Sequence, residues 1–194
     1  MLELALFAGS FVLAAVATAL LFRVRRRTRA SAAVPSGDRD LRERLDASLA
    51  EAHPVERTHL ERPPRLHQLA TRRGDDGQRR LIPVIRVELG STEPPSETLA
   101  FEFVASVLEA VHPLSTDEGA TIEQYDVQFR FGPDGLFVSR SCFRVAVPVV
   151  LAVRLVTEDD YRAHELRRDV KAGDDGDEET PPVLWGDCRT YRAD

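Results

Sequence analysis

The sequence predicts an α+β fold: an N-terminal transmembrane helix, then a small antiparallel sheet with helices packed on one face, in the order β-α-β-β-α. Three observations predict it. Residues 4–22 form an uncharged apolar run of 19 residues, close to the roughly 20 needed for a helix to span a bilayer. Tyr125, Val127, Phe129 and Phe131 alternate strictly with Gln124, Asp126, Gln128 and Arg130, the period of a strand with one buried and one wet face. Leu99, Phe103, Val107, Leu108 and Val111 recur at helical spacing, so one stripe of a helix is apolar.

The apolar run is read as a retained anchor covering residues 1–22. Its positive charge follows the run instead of preceding it, the reverse of a cleaved signal peptide. Arg23, Arg25, Arg26, Arg27 and Arg29 supply that charge. Arginines flanking a span stay on the cytoplasmic side, so these five residues orient the chain with its N-terminus outside and its C-terminal domain in the cytoplasm. They need no nucleic acid to explain them, since no aromatic stacking residues are interleaved with them.

Residues 23–80 read as a basic juxtamembrane stalk with short helices, carrying 15 Arg against 9 Asp or Glu. Within it, Leu41, Leu45 and Leu49 fall on one face of a helix predicted over residues 38–50, and His53-Pro54 ends it. That narrow seam can dock on the domain, pair with a partner helix or lie on a membrane surface. Pro63-Pro64 and Gly74-Asp75-Asp76-Gly77 break the chain again, which predicts loop over residues 52–80 with a short helix near residues 64–71.

The folded domain is expected to span residues 81–194. Ile85, Val87 and Leu89 alternate against Arg86 and Glu88, a strand whose Pro83 suits an edge or the first residues. Ser96 is placed as the N-cap of the helix that follows, and His112-Pro113 as its end. The strand Gln124–Phe131 turns at residues 132–135 into a return strand. Its apolar parity shifts between Val138 and Phe143, which predicts a bulge near residues 139–142. Pro148 opens a helix over residues 149–156, and a polar helix follows over residues 158–171. Residues 173–182 are an acidic loop, and Val183-Leu184-Trp185 packs back on the domain.

Composition narrows the class. Lys171 is the single lysine among 26 basic residues, and Asp, Glu and Val abound. In this, and in the acidic stretch over residues 173–179, the chain resembles uncharacterised single-pass membrane proteins of halophilic archaea. The resemblance is spread over the whole chain and implies an acidic, membrane-anchored protein without implying an activity. The sequence pI of about 5.5 also fits a GC-rich bacterium. Cys142 and Cys188 are read as free thiols of a reducing cytoplasm.

Candidate chemistry is sparse. Asp160, His164 and Glu165 could form a carboxylate–imidazole site, because Asp160 and His164 are spaced i, i+4 on the predicted helix and a general base needs an orienting acid. No nucleophile or oxyanion signature accompanies them, and a charged helix face accounts for them equally. His53, His59 and His67 are separated by five and seven intervening residues, a spacing that matches no zinc motif, so no metal site is assigned. The acidic stretch lacks the order of a calcium loop. Phosphate-binding glycine loops and hydrolase motifs are missing, so no cofactor is assigned. The expected partners are the lipid bilayer and a membrane or cytoplasmic protein, with no nucleic acid. The sequence thus favours a membrane-anchored interaction or accessory domain without catalysis; the alternative is a membrane-tethered enzyme using His164 with its neighbouring carboxylates.

Overall fold

A computed structural model describes residues 36–52, 60–74, 76–117, 121–133, 140–174 and 181–191. The elements run α1 (Ser36–Glu51), β1 (Leu60–Arg73), β2 (Arg79–Leu89), α2 (Glu97–Asp117), β3 (Gln124–Phe131), β4 (Ser141–Pro148), α3 (Val149–Thr157), α4 (Ala163–Asp174) and β5 (Val183–Asp187). The five strands form one sheet in the order β1-β2-β3-β4-β5.

The α+β class stands, but the expected small antiparallel sheet does not. The sheet is mixed: β2 and β3 pair in parallel, and the other three pairs are antiparallel. The cause is α2. Parallel neighbours need a crossover connection, and α2 carries the chain back to the end of the sheet at which β2 began. The expected membrane-spanning helix over residues 4–22 lies outside the described residues, as do Arg23, Arg25, Arg26, Arg27 and Arg29. Among the described residues no helix is long and apolar enough to cross a membrane.

β1 corrects the stalk reading. Residues expected to be loop with a short helix form a 14-residue strand. Its partner is β2, joined through a tight turn in which Gly77 takes a φ of 74°. Only glycine enters that region without a Cβ penalty. Pro63 and Pro64 are tolerated because β1 is an edge strand, where a missing N–H costs no ladder bond on the outer side. The register slips between Leu60 and Arg62, across the proline pair between Arg62 and Arg65, and again between Leu66 and Gln68, and such bulges twist an edge away from further pairing. The Leu66 N–H is instead taken by Asp46 Oδ1 of α1 at 2.8 Å.

Pro83, expected at an edge or among the first residues of its strand, lies in the first half of β2, an interior strand. It stands between the Leu81–Ile122 bridge and the ladder that begins at Val84–Asp126, where the β3 side of the strand is unpaired.

One apolar cluster holds the helices to one face of the sheet. Leu41, Leu45 and Leu49 of α1, Phe101, Phe103, Val107 and Leu108 of α2, Ala152 and Leu155 of α3 and Leu166 and Val170 of α4 meet Ile85, Val87, Tyr125, Val127, Phe129, Val145 and Val147 of the strands. The leucine seam of α1 is therefore docked. α2 begins as expected, with the Leu99 N–H donating to Ser96 Oγ at 3.3 Å. It does not stop at His112-Pro113 but runs through the proline to Asp117. Buried Ser115 donates to the Val111 carbonyl at 3.0 Å and helps hold the extra turn.

β3 and β4 pair without a register shift from Phe131–Ser141 to Gln124–Pro148. The bulge predicted near residues 139–142 is not seen among the described residues: Ser141 and Cys142 pair in regular register with Phe131 and Arg130. Residues 134 and 135 of the predicted turn, and residue 139, lie outside the described residues. α4 begins at Ala163, later than the expected residue 158, because the chain turns at residues 159–160. Trp185 of β5 takes a φ of 55°, an uncommon conformation for a bulky side chain. Edge contacts with Phe129 and Phe143, at centroid distances of 6.0 and 6.1 Å, hold it there.

The two cysteines are not free. Cys142 and Cys188 are joined as a disulfide across 46 residues of chain. Sequence spacing gave no sign of the pairing; the return of β5 alongside β4 creates it.

Candidate functional site

The sheet face away from the helices carries the polar half of each strand. It was expected to be wet, yet Gln124, Asp126 and Gln128 of β3 are buried, as are Glu88 of β2 and Arg144 of β4. Residues 188–191 run back over this face and cover part of it. Gln128 Nε2 donates to the Arg189 carbonyl at 2.9 Å, and Gln68 Nε2 donates to the Tyr191 carbonyl at 2.9 Å. The Tyr191 ring rests on Ala70, Ile82 and Val84. Its hydroxyl donates to Asp126 Oδ2 at 2.7 Å. This strap is fixed at one end by the disulfide from β4.

Beneath the strap, Asp126 is fully buried, and Arg144 Nη1 lies 3.4 Å from its Oδ2. Asp126 Oδ1 and Arg144 Nε are buried without a partner. Burial raises the Asp126 carboxyl above the usual carboxylate range, against the opposing effects of the Tyr191 hydroxyl and Arg144. Burial, and then the Asp126 charge, raise the Tyr191 phenol. This pattern serves to pin the strap, since a buried polar group is stable only when its partners are supplied.

Beyond the strap, arginine dominates. Glu88 is 3% exposed; it accepts from Arg65 at 2.8 Å and Arg140 at 3.4 Å and forms an ion pair with Arg62 at 3.2 Å. Arg140 also holds Glu61 at 2.6 Å. Arg65 stands opposite Arg86 across β1 and β2, and Glu88 stands opposite Arg130 across β2 and β3. Like charges directly opposite one another repel, and the buried Glu88 offsets that repulsion. Burial, then Arg130 and Arg65, lower the Arg86 guanidinium pKa, and Glu88 partly restores it. Arg86 Nε is buried without an acceptor. His67, on the surface of β1, sits in the same field: partial desolvation, then Arg86, Arg65, Arg130 and Arg42, hold it below the usual imidazole range.

The sequence-derived catalytic candidates lie elsewhere. Asp160 is exposed in the turn before α4, and the His164 side chain is 74% exposed. The break at residues 159–162 removes the helical spacing that would have brought them together. His164 Nε2 does meet Glu165 Oε1. Glu165 Oε2, however, accepts the Arg162 backbone N–H at 3.0 Å, the reach-back of a helix-capping carboxylate. Of the three histidines weighed for zinc, His53 and His59 lie outside the described residues. Among the described residues no group of three or more His, Cys, Asp or Glu side chains is placed to hold a metal ion.

The arginine face was not singled out from sequence. Arg62, Arg65, Arg86, Arg130 and Arg140 are scattered over 79 positions, and only strand pairing gathers them. No known family, curated protein or solved structure matches the chain.

Proposed function

We propose that this chain is a membrane-tethered binding domain that engages a protein partner through the arginine-bearing face of its sheet and performs no catalysis. The observation that carries this reading is charge placement. Among the described residues, Arg62, Arg65, Arg86, Arg130, Arg140 and Arg144 stand on or reach over one face against three carboxylates, Glu61, Glu88 and Asp126. The chain as a whole has a net charge of -6. A positive patch on an acidic protein steers encounter with an acidic partner and rejects basic ones. The tether rests on the apolar run at residues 4–22 and the arginines after it, which favour a cytoplasmic domain and contact with the lipid bilayer.

The test is co-purification from detergent-solubilised membranes with the full tagged chain. A reproducible partner is expected with the wild-type chain and its loss with R86E/R130E. Recovery of the same proteins by both chains would refute the reading.

A second reading of the compartment rests on the Cys142–Cys188 disulfide. Disulfides persist in oxidising compartments and are rare in a reducing cytoplasm, which favours the outer side of the membrane. Protease protection of a C-terminal tag in sealed right-side-out vesicles decides between the two. Protection supports the cytoplasmic side, and cleavage supports the other.

A further inference from the structure

We infer that Arg65, Arg86 and Arg130 form a docking row for an extended acidic segment of a protein partner, whose alternate carboxylates each engage one guanidinium. The inference rests on the binding reading above and names the ligand chemistry of the same face.

The row follows from register. Arg65 is the direct cross-strand neighbour of Arg86, and Arg130 lies on the next strand beside Glu88, one step of the same face further along. Adjacent strands are about 4.8 Å apart, and residues two apart on one strand are separated by roughly 7 Å. The three arginines are therefore rooted on three strands, with their Cα positions spread along one face. A single phosphate or carboxylate would be held by convergent donors. Alternate residues of an extended peptide fall roughly 7 Å apart on one side, which suits a spread row.

The arginines differ in what already holds them. Arg65 is anchored by Glu88 at 2.8 Å. Among the described residues, Arg86 and Arg130 make no side-chain hydrogen bond or ion pair. The Arg86 Nε is buried and has no acceptor. A guanidinium has five N–H donors in a planar fork and binds carboxylate with two parallel bonds. Arg86 is only partly buried, so a partner carboxylate would engage the exposed part of that fork and not the buried Nε. Glu88 is withdrawn among Arg62, Arg65 and Arg140 and fixes the row without neutralising it. The strap borders the row, since Gln128, the register neighbour of Arg86, holds the Arg189 carbonyl.

The experiment is fluorescence anisotropy of a labelled ten-residue peptide of alternating Glu and Ala, titrated with the full chain in detergent. Saturable binding is expected, and none to the same peptide with Gln for Glu. R86Q and R130Q should each weaken binding about 5-fold, the size of one solvent-screened ion pair, with thermal unfolding checked for both. Arg86 carries the buried Nε, so R130Q keeps the test open if R86Q fails to fold. R167Q, on α4, is the control and should bind as wild type. Equal weakening by R167Q would mean a diffuse charge effect and would overturn the row, as would unchanged binding by R130Q. Displacement of the peptide by inorganic phosphate at matched ionic strength would overturn it in favour of a small-anion site. Binding to phosphatidylserine vesicles but not to the peptide would overturn it in favour of a lipid surface. Failure here with a partner still recovered from membranes leaves the binding reading intact. Peptide binding without any recovered partner would count against that reading alone.

Discussion

Reduction of the Cys142–Cys188 disulfide should destabilise the domain by about 4 kcal/mol. The bond closes a loop with a sequence separation of 46. Cross-linking such a loop removes about 2.1 + 1.5R ln n cal/mol/K of entropy from the unfolded chain, which for this n comes to ~4 kcal/mol at 25 °C. The native consequence falls on the strap, because Cys188 leads directly into the residues that bind Gln128, Gln68 and Asp126. At roughly 2–4 °C per kcal/mol for a domain of this size, the unfolding midpoint should drop by about 8–16 °C. The assay is thermal and urea unfolding by circular dichroism, with and without a reductant. The C142S/C188S chain should match the reduced wild type and ignore the reductant. Identical midpoints for the oxidised and reduced wild-type chain would refute both the loop argument and the mechanical role of the strap.

Three further outcomes are expected. Y191F removes the hydroxyl that donates to Asp126 at 2.7 Å and should cost about 1.5–3 kcal/mol, the range for a hydrogen bond to a charged group; urea unfolding measures it, and a change under 0.5 kcal/mol would mean that Tyr191 acts only through its ring. L45A should cost about 2–5 kcal/mol because Leu45 is wholly buried; a loss within experimental error would return α1 to the surface. His112 is buried 2.9 Å from the Tyr125 hydroxyl, and burial holds its pKa below the ordinary value. Its contribution to stability is therefore present above about pH 6.5 and lost as pH falls through the folded value. Asp126 acts with the opposite sign: its raised pKa gives a contribution that is full below about 3.9 and lost as pH rises through the folded value. The difference between wild type and H112Q across pH 7 to 5 isolates the imidazole, and parallel curves would exclude it.

Local patterns made several elements legible. The alternation of Tyr125 to Phe131, the apolar stripe of α2, the Ser96 cap, Pro148 before α3 and the leucine seam of α1 all depend on neighbours within a few residues, which is what periodicity reports. β1 was hidden because Pro63-Pro64 and its arginines carry the marks of a loop; they suit a strand only at a sheet edge, and edge position is a property of the whole sheet. The parallel pairing of β2 with β3 was implicit in the β-α-β order but needs the two strands to be neighbours. The polar face was misread for the same reason. Gln124, Asp126 and Gln128 are hydrophilic by residue type, and their cover comes from residues more than 60 positions away. The nearest sequence signal was the pair of cysteines, one on β4 and one at the start of the strap. For the candidate site, His164 and Asp160 stood out by residue type, whereas the arginine face has no local spacing to betray it.

Trp185 gives the molecule a built-in optical reporter. It is the single tryptophan of the chain, and its indole sits edge-on to Phe129 and Phe143. Cys142, next to Phe143 in sequence, carries the disulfide to Cys188, three residues beyond the indole. Emission from this one fluorophore therefore monitors the docking of β5 against β4. A red shift on reduction that precedes loss of helical signal would time the release of this edge separately from global unfolding, without any label being added.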